Sequence, residues 1–159
     1  MTTQLPWQPI GYVHSTRTDL SDDYWGGVVS RIVLAEPYGP ETLAGLDAFS
    51  HVEVLYCFHR VEPTNVVLTA AHPRENPAWP KVGIFAQRKK NRPNRIGLST
   101  CRLISVRGRE LTVEGLDAID GTPVVDLKPC VREFLADRAS VSQPAWMTEL
   151  MRDYFARRG

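Results

Sequence analysis

A compact antiparallel β-barrel is the fold this sequence predicts, mainly β, with short helices and a C-terminal amphipathic helix. Three observations predict it: short β-rich runs dominate the chain, Gly, Pro, Asn and Asp punctuate them, and only two segments carry a helical pattern. At 159 residues the chain suits a single domain, 1–159, able to bury a continuous core without disulfide or metal staples. No Ser/Gly linker, repeat or low-complexity run divides it. The barrel is expected over about 8–130 and the helical tail over about 142–158.

The β-rich runs follow in order: "PIGYVHS", "GGVVSRIVL", "HVEVLYCFH", "NVVLTAA", "KVGIFAQ", "GLSTCRLISV", "ELTVEGL" and "PVVDLKP". Alternation of apolar and polar residues, imperfect but visible in Gly97–Val106, marks half-buried strands. "RGRE" after Val106 predicts a hairpin turn joining Gly97–Val106 to Glu110–Leu116. Between the second and third runs, "GPETLAGLDAFS" can hold a short helical turn that starts near Pro40 and ends at Gly45. The tail "SQPAWMTELMRDYFARR" predicts a longer helix, with Ser142 as N-cap, Pro144 in the first turn and Trp146, Leu150 and Tyr154 on one face. That face is expected to pack on the barrel, a homodimer contact being the alternative.

Composition excludes several classes. Hydrophobic residues make up 43% and charged residues 23%, which is ordinary for a globular protein. The start, "MTTQLPWQPIGYVHS", lacks a cationic region followed by an apolar run, and no stretch approaches the roughly 18 apolar residues of a spanning helix, so a cytoplasmic location away from membranes is expected. Cys57, Cys101 and Cys130 are far apart, lack CxxC spacing and predict buried reduced thiols. Among the histidines, His14, His51, His59 and His72 show neither HxH nor HExxH spacing, and no metal is expected. His59 ends a strand beside Arg60, a position open to ligands.

The net charge of +1 hides an asymmetry. No carboxylate lies between Glu75 and Glu110, while nine of the 19 Lys and Arg do. A broadly basic surface is thereby excluded, and one local site for an anionic group is favoured. Its centre is "RKKNRPNRIG", where Arg88, Arg92 and Arg95 can fork onto carboxylate or phosphate and Pro93 stiffens the loop. There is no GxSxG elbow and no GxGxxG or GxxxxGK[ST] loop, which removes the common hydrolases, NTPases and dinucleotide binders. A second constellation is "GLDAIDGTPVVDLKP", in which Asp117, Asp126 and Lys128 flank the turn at Asp120–Gly121.

Three stretches, "GLDAFSHVEVLYCFHR", "GIFAQRKKNRPNRIGLS" and "GLDAIDGTPVVDLKP", resemble the signature blocks of the TsaA-like (TrmO) family of tRNA adenosine-37 N6-methyltransferases. They occur in the family's order, within a match from about Ile10 to Pro129. The resemblance implies a β-barrel that binds S-adenosyl-L-methionine, usually as a homodimer, unrelated to the Rossmann-like methyltransferases. It puts His59, Arg60, Arg88, Gly97, Leu98, Asp117, Ala118, Ile119, Asp120 and Gly121 at the cofactor. Phe85 becomes a candidate partner for the sulfonium, and Trp25 for stacking on adenine. Asn94, Asp126 and Lys128 are the candidate catalytic residues. Lys89, Lys90, Arg92 and Arg95 are assigned to the substrate.

The chain departs from the family at Lys89 and Arg95, at Cys130 where the tRNA enzymes commonly carry Tyr, and in "TRTDLSDDYWGG", which lacks a Pro-Arg-Gln-like segment. Asp23, Tyr24 and Trp25 are expected to fill that role. The chain also ends at Gly159, without the family's additional bacterial C-terminal domain. The functional expectation is an S-adenosylmethionine-dependent methyltransferase acting on tRNA. A small anionic metabolite as acceptor, or a non-catalytic S-adenosylmethionine- or RNA-binding module, are the alternatives.

Overall fold

The computed structural model describes residues 7–159. Eight strands form: β1 (Gly11–Ser15), β2 (Val29–Leu34), β3 (His51–Cys57), β4 (Ala70–Ala71), β5 (Val82–Gly83), β6 (Ile96–Arg107), β7 (Glu110–Glu114) and β8 (Pro123–Pro129). Six of them close an antiparallel barrel in the order β1-β2-β7-β6-β3-β8, and β4 and β5 pair separately. Alternation decides the inner face: Val52, Val54 and Tyr56 of β3 point inward, opposite Cys101, Ser99 and Gly97 of β6. Val13, Ile32, Leu34, Leu111, Val113 and Val124 complete the core.

The runs at Asn65–Ala71 and Lys81–Gln87 are strands over only two residues each. Pro63, Pro73 and Pro80 flank them, and 3-10 turns at Pro63–Asn65, Pro73–Glu75 and Ile84–Ala86 take the rest of that excursion. The expected hairpin is present: Arg107 pairs with Glu110 across Gly108, which adopts a left-handed φ of 59°. The Pro40 turn is a 3-10 helix, Pro40–Leu43, followed by Gly45 at φ 84°.

The tail differs from expectation. Its helix α1 spans only Ala145–Leu150, with Pro144 at the N-cap position rather than Ser142. Beyond Leu150 the regular helix gives way to successive turns, with Tyr154 N–H donating to Met151 O at 3.2 Å, and these turns bond the barrel loop: Tyr24 N–H donates to Asp153 O at 3.0 Å and Trp25 N–H to Tyr154 O at 2.8 Å. Residues 151–158 therefore form a strap across the loop between β1 and β2. Trp79 Nε1 donates to Glu149 at 2.9 Å and fixes the strap's approach. Among the described residues, no helix is long and apolar enough to cross a membrane.

Candidate cofactor and substrate site

One stretch of the barrel wall is built differently from the rest. Strand β6 is 12 residues long, but its pairing with β7 begins only at Arg102, so Ile96–Cys101 has β3 on one side and no strand paired on the other among the described residues. The chain leaving β7 passes there as Gly115–Asp120. Asp117 sits at this gap, half-buried. Tyr56 Oη donates to its Oδ1 at 2.9 Å and Tyr154 Oη to its Oδ2 at 2.5 Å, while the Ser99 hydroxyl also donates to Oδ1. No described ion pair involves Asp117.

Gly97 permits this arrangement. A Cβ at that position would lie 2.4 Å from carbons of the Tyr56 ring, so only glycine lets the ring lie across β6 and reach Asp117. Burial and the neighbouring Asp117 charge push the Tyr56 and Tyr154 phenols well above their usual range. Both rings therefore remain O–H donors at neutral pH. Cys101, fully buried beneath them, is pushed up to about 12 by burial and by Asp117, which makes it an inert thiol.

The residues carried by the family blocks are held by local contacts of their own. Arg88 Nη2 donates to Leu98 O at 2.7 Å, laying the guanidinium along the open edge of β6. His59 Nε2 is 3.8 Å from where a Cβ on Gly121 would be. Burial, with Arg60 alongside, lowers the His59 imidazole from its usual range. The Asp117–Gly121 turn is held to β1: Ser15 N–H donates to Asp120 Oδ1 at 2.9 Å, and Gly121 N–H to Val13 O at 2.8 Å. Ala118 is buried beneath the turn and Ile119 O accepts from Thr122 Oγ1 at 2.7 Å. Phe85 is 79% exposed in the turn before Arg88.

In the basic loop, Arg92 Nη1 donates to Gln87 O at 2.7 Å and Arg95 Nη1 to Val61 O at 2.8 Å. Lys90 reaches Leu20 O at 3.3 Å and Asp22 at 3.5 Å. The two arginines thus shape the loop through carbonyls and keep their charge unneutralised. Arg102 and Arg109, part of the same acid-free interval, pair instead with Glu114 on β7 and Glu36 just after β2.

Three expectations need correction. Trp25 is buried, its indole N–H donates to Asp22 O at 2.9 Å, and the Arg17 guanidinium covers its ring at 3.9 Å. With that face taken, Trp25 is a pillar of the loop rather than a platform for adenine. Asp23 is likewise engaged, bound at both carboxylate oxygens by Arg74 at 2.6 and 3.0 Å. Asp126 and Lys128 lie on the outer face: a bulge between Leu55 and Tyr56 turns Asp126 outward beside Leu55, and Lys128 bonds it at 3.2 Å. The barrel wall separates both from Asp117. Asn94, by contrast, is exposed on the basic loop.

Tyr56, Ser99 and Tyr154 were not among the expected site residues. A tyrosine at an inward barrel position opposite a glycine is the signal for Tyr56; for Tyr154, a helical pattern masked its role.

The family model of the tRNA-methyltransferase O N-terminal domain matches residues 21–136. A Mus musculus tRNA (adenine(37)-N6)-methyltransferase is 42% identical over 93 residues, 58% of this chain and 21% of its own length. A probable S-adenosyl-L-methionine-binding protein of Pyrococcus abyssi is 33% identical over 132 residues, 80% of this chain and 69% of its own. The crystal structure of TrmO from Pseudomonas aeruginosa superposes with a TM-score of 0.71 at 29% identity, covering 88% of this chain and 60% of that one. The chain thus spans about a fifth of the mammalian relative it matches.

Proposed function

Because this chain belongs to the tRNA-methyltransferase O N-terminal domain family, we propose that it is an S-adenosylmethionine-dependent methyltransferase whose acceptor is N6 of adenosine 37 in tRNA. The observation that supports this is a set of contacts that joins the three sequence blocks: Arg88 on Leu98 O, Ser99 on Asp117, and His59 beside Gly121. When bound, the cofactor supplies an activated methyl group on a sulfonium.

The chain's own residues bind and orient it. The Arg88 guanidinium suits the cofactor's carboxylate, and the backbone of Gly97–Leu98 and Asp117–Gly121 suits its amine and ribose hydroxyls. Lys89, Lys90, Arg92, Asn94 and Arg95 form the adjoining basic rim, suited to RNA phosphates. Orientation of donor and acceptor is the main source of rate. A cytoplasmic homodimer is part of the proposal; the apolar side chain of Phe134, 86% exposed, supports it.

Calorimetric titration of ligand-stripped protein with S-adenosylmethionine tests the cofactor, and absence of binding at millimolar concentration overturns it. Methyl transfer to tRNA from cells lacking the gene tests the acceptor. A tRNA substrate engaging many phosphates loses affinity steeply with salt, whereas a small carboxylate metabolite does not.

A further inference from the structure

Three neutral hydroxyls, from Tyr56, Ser99 and Tyr154, converge on Asp117, and no described cation pairs with it. A carboxylate has about four acceptor directions, and three are occupied here. What Asp117 offers a ligand is therefore charge far more than hydrogen-bonding capacity. An ammonium or a ribose hydroxyl needs free acceptor positions. A sulfonium donates no hydrogen bond and needs only negative charge beside it, which Asp117 supplies.

Tyr154 is placed there by a clamp. Backbone bonds from Tyr24 and Trp25 hold Asp153 and Tyr154, and Gly26 admits the strap only because a Cβ there would lie 2.0 Å from Phe155 O. Arg158 pairs with Asp19 at 3.1 Å and Arg157 with Glu114 at 3.4 Å on either side. The strap lies beyond the family-matched residues 21–136.

We infer that Tyr154 is a positioning residue that holds Asp117 as an uncompensated negative charge facing the cofactor's sulfonium, so that the site prefers the charged methyl donor to its product. The inference rests on the methyltransferase reading above. In the transfer, the S–CH3 bond breaks with its electron pair left on sulfur, the methyl bonds to the acceptor nitrogen, and that nitrogen loses a proton. The sulfur becomes a neutral thioether, and the attraction that Asp117 supplied ends with it. Without the Tyr154 hydroxyl, the freed Oδ2 takes water in its place, and the carboxylate is no longer held in one orientation.

The test is calorimetry on the full chain with S-adenosylmethionine and S-adenosylhomocysteine, which differ by the methyl group and the positive charge. Wild type should bind the charged ligand more tightly. Tyr154→Phe, which keeps the ring and the backbone clamp, should weaken it about tenfold and the neutral ligand less than about twofold. Asp117→Asn should bring the two affinities close together. A purely structural role predicts equal losses for both ligands in Tyr154→Phe, and that result overturns the inference, as does an unchanged ratio. If Tyr154→Phe fails to fold, a wild-type ratio in Asp117→Asn overturns it. Binding of neither ligand by wild type removes the methyltransferase reading itself.

Discussion

The Asp117 cradle and the basic loop of residues 88–95 handle charge by the same device with opposite sign. Asp117 is held by three hydroxyls rather than by a cation. Arg88, Arg92 and Arg95 are held by carbonyls rather than by carboxylates. Neutral partners fix geometry and leave the net charge in place, whereas an ion pair would fix geometry by cancelling it. The hairpin arginines Arg102 and Arg109 show the other solution, being paired with Glu114 and Glu36. The difference teaches where charge stays uncancelled, positive on the basic loop and negative at Asp117, which is what the proposed zwitterionic cofactor and polyanionic substrate would call for.

The most severe way to break the negative side is Gly97→Ala. Its methyl would meet the Tyr56 ring at 2.4 Å, and displacing a fully buried tyrosine should cost about 2–3 kcal/mol, seen as a lower midpoint in urea or thermal unfolding. A wild-type midpoint would mean that the ring is not held by that glycine. On the positive side, Arg92→Ala and Lys89→Ala sharpen the contrast between a tethered and an untethered cation. Arg92→Ala strands the buried Gln87 carbonyl and should lose about 1–2 kcal/mol of stability. Lys89→Ala should leave the melting temperature within error, yet reduce the slope of tRNA affinity against salt by about one contact.

The smallest effect concerns pH. With its folded-state pKa below the usual 6.5, His59 binds its proton more weakly when folded, so its contribution to stability is complete above that value. It is lost as pH falls from the ordinary histidine range through the depressed one. Unfolding midpoints measured across that window should decline with acidity, and His59→Gln should remove this component. Equal slopes for the two proteins would show that His59 titrates alike folded and unfolded.

The barrel was legible because its information is local. Inward positions at Val52, Val54, Tyr56 and at Gly97, Ser99, Cys101 follow from period-two alternation, and the hairpin from a two-residue turn at Gly108–Arg109. The cluster of cations at 88–95 was legible because its residues are contiguous. The cradle was not, since Tyr56, Ser99, Asp117 and Tyr154 are joined only by strand register and by a strap whose backbone bonds tie Trp25 to Tyr154 across the length of the chain. The tail also obscured itself: Trp146, Leu150 and Tyr154 recur at helical spacing, but the helix ends at Leu150 and the turns after it bond the β1–β2 loop, a long-range pairing that spacing does not reveal. Asp126 and Lys128 misled for a related reason, because one bulge in β8 reverses which face they occupy.

The exposed stretch 132–145 and the strap after it carry different tolerances to the gain or loss of residues. The stretch makes only local turns of its own, so it can lengthen or shorten as slack between barrel and strap. The strap has no slack. Slipping it by one position would present Phe155, which has no hydroxyl, to Asp117 and turn Tyr154 away. Evolutionary insertions and deletions should therefore accumulate in the former and be purged from the latter, even though the strap lies wholly outside the family-matched residues 21–136.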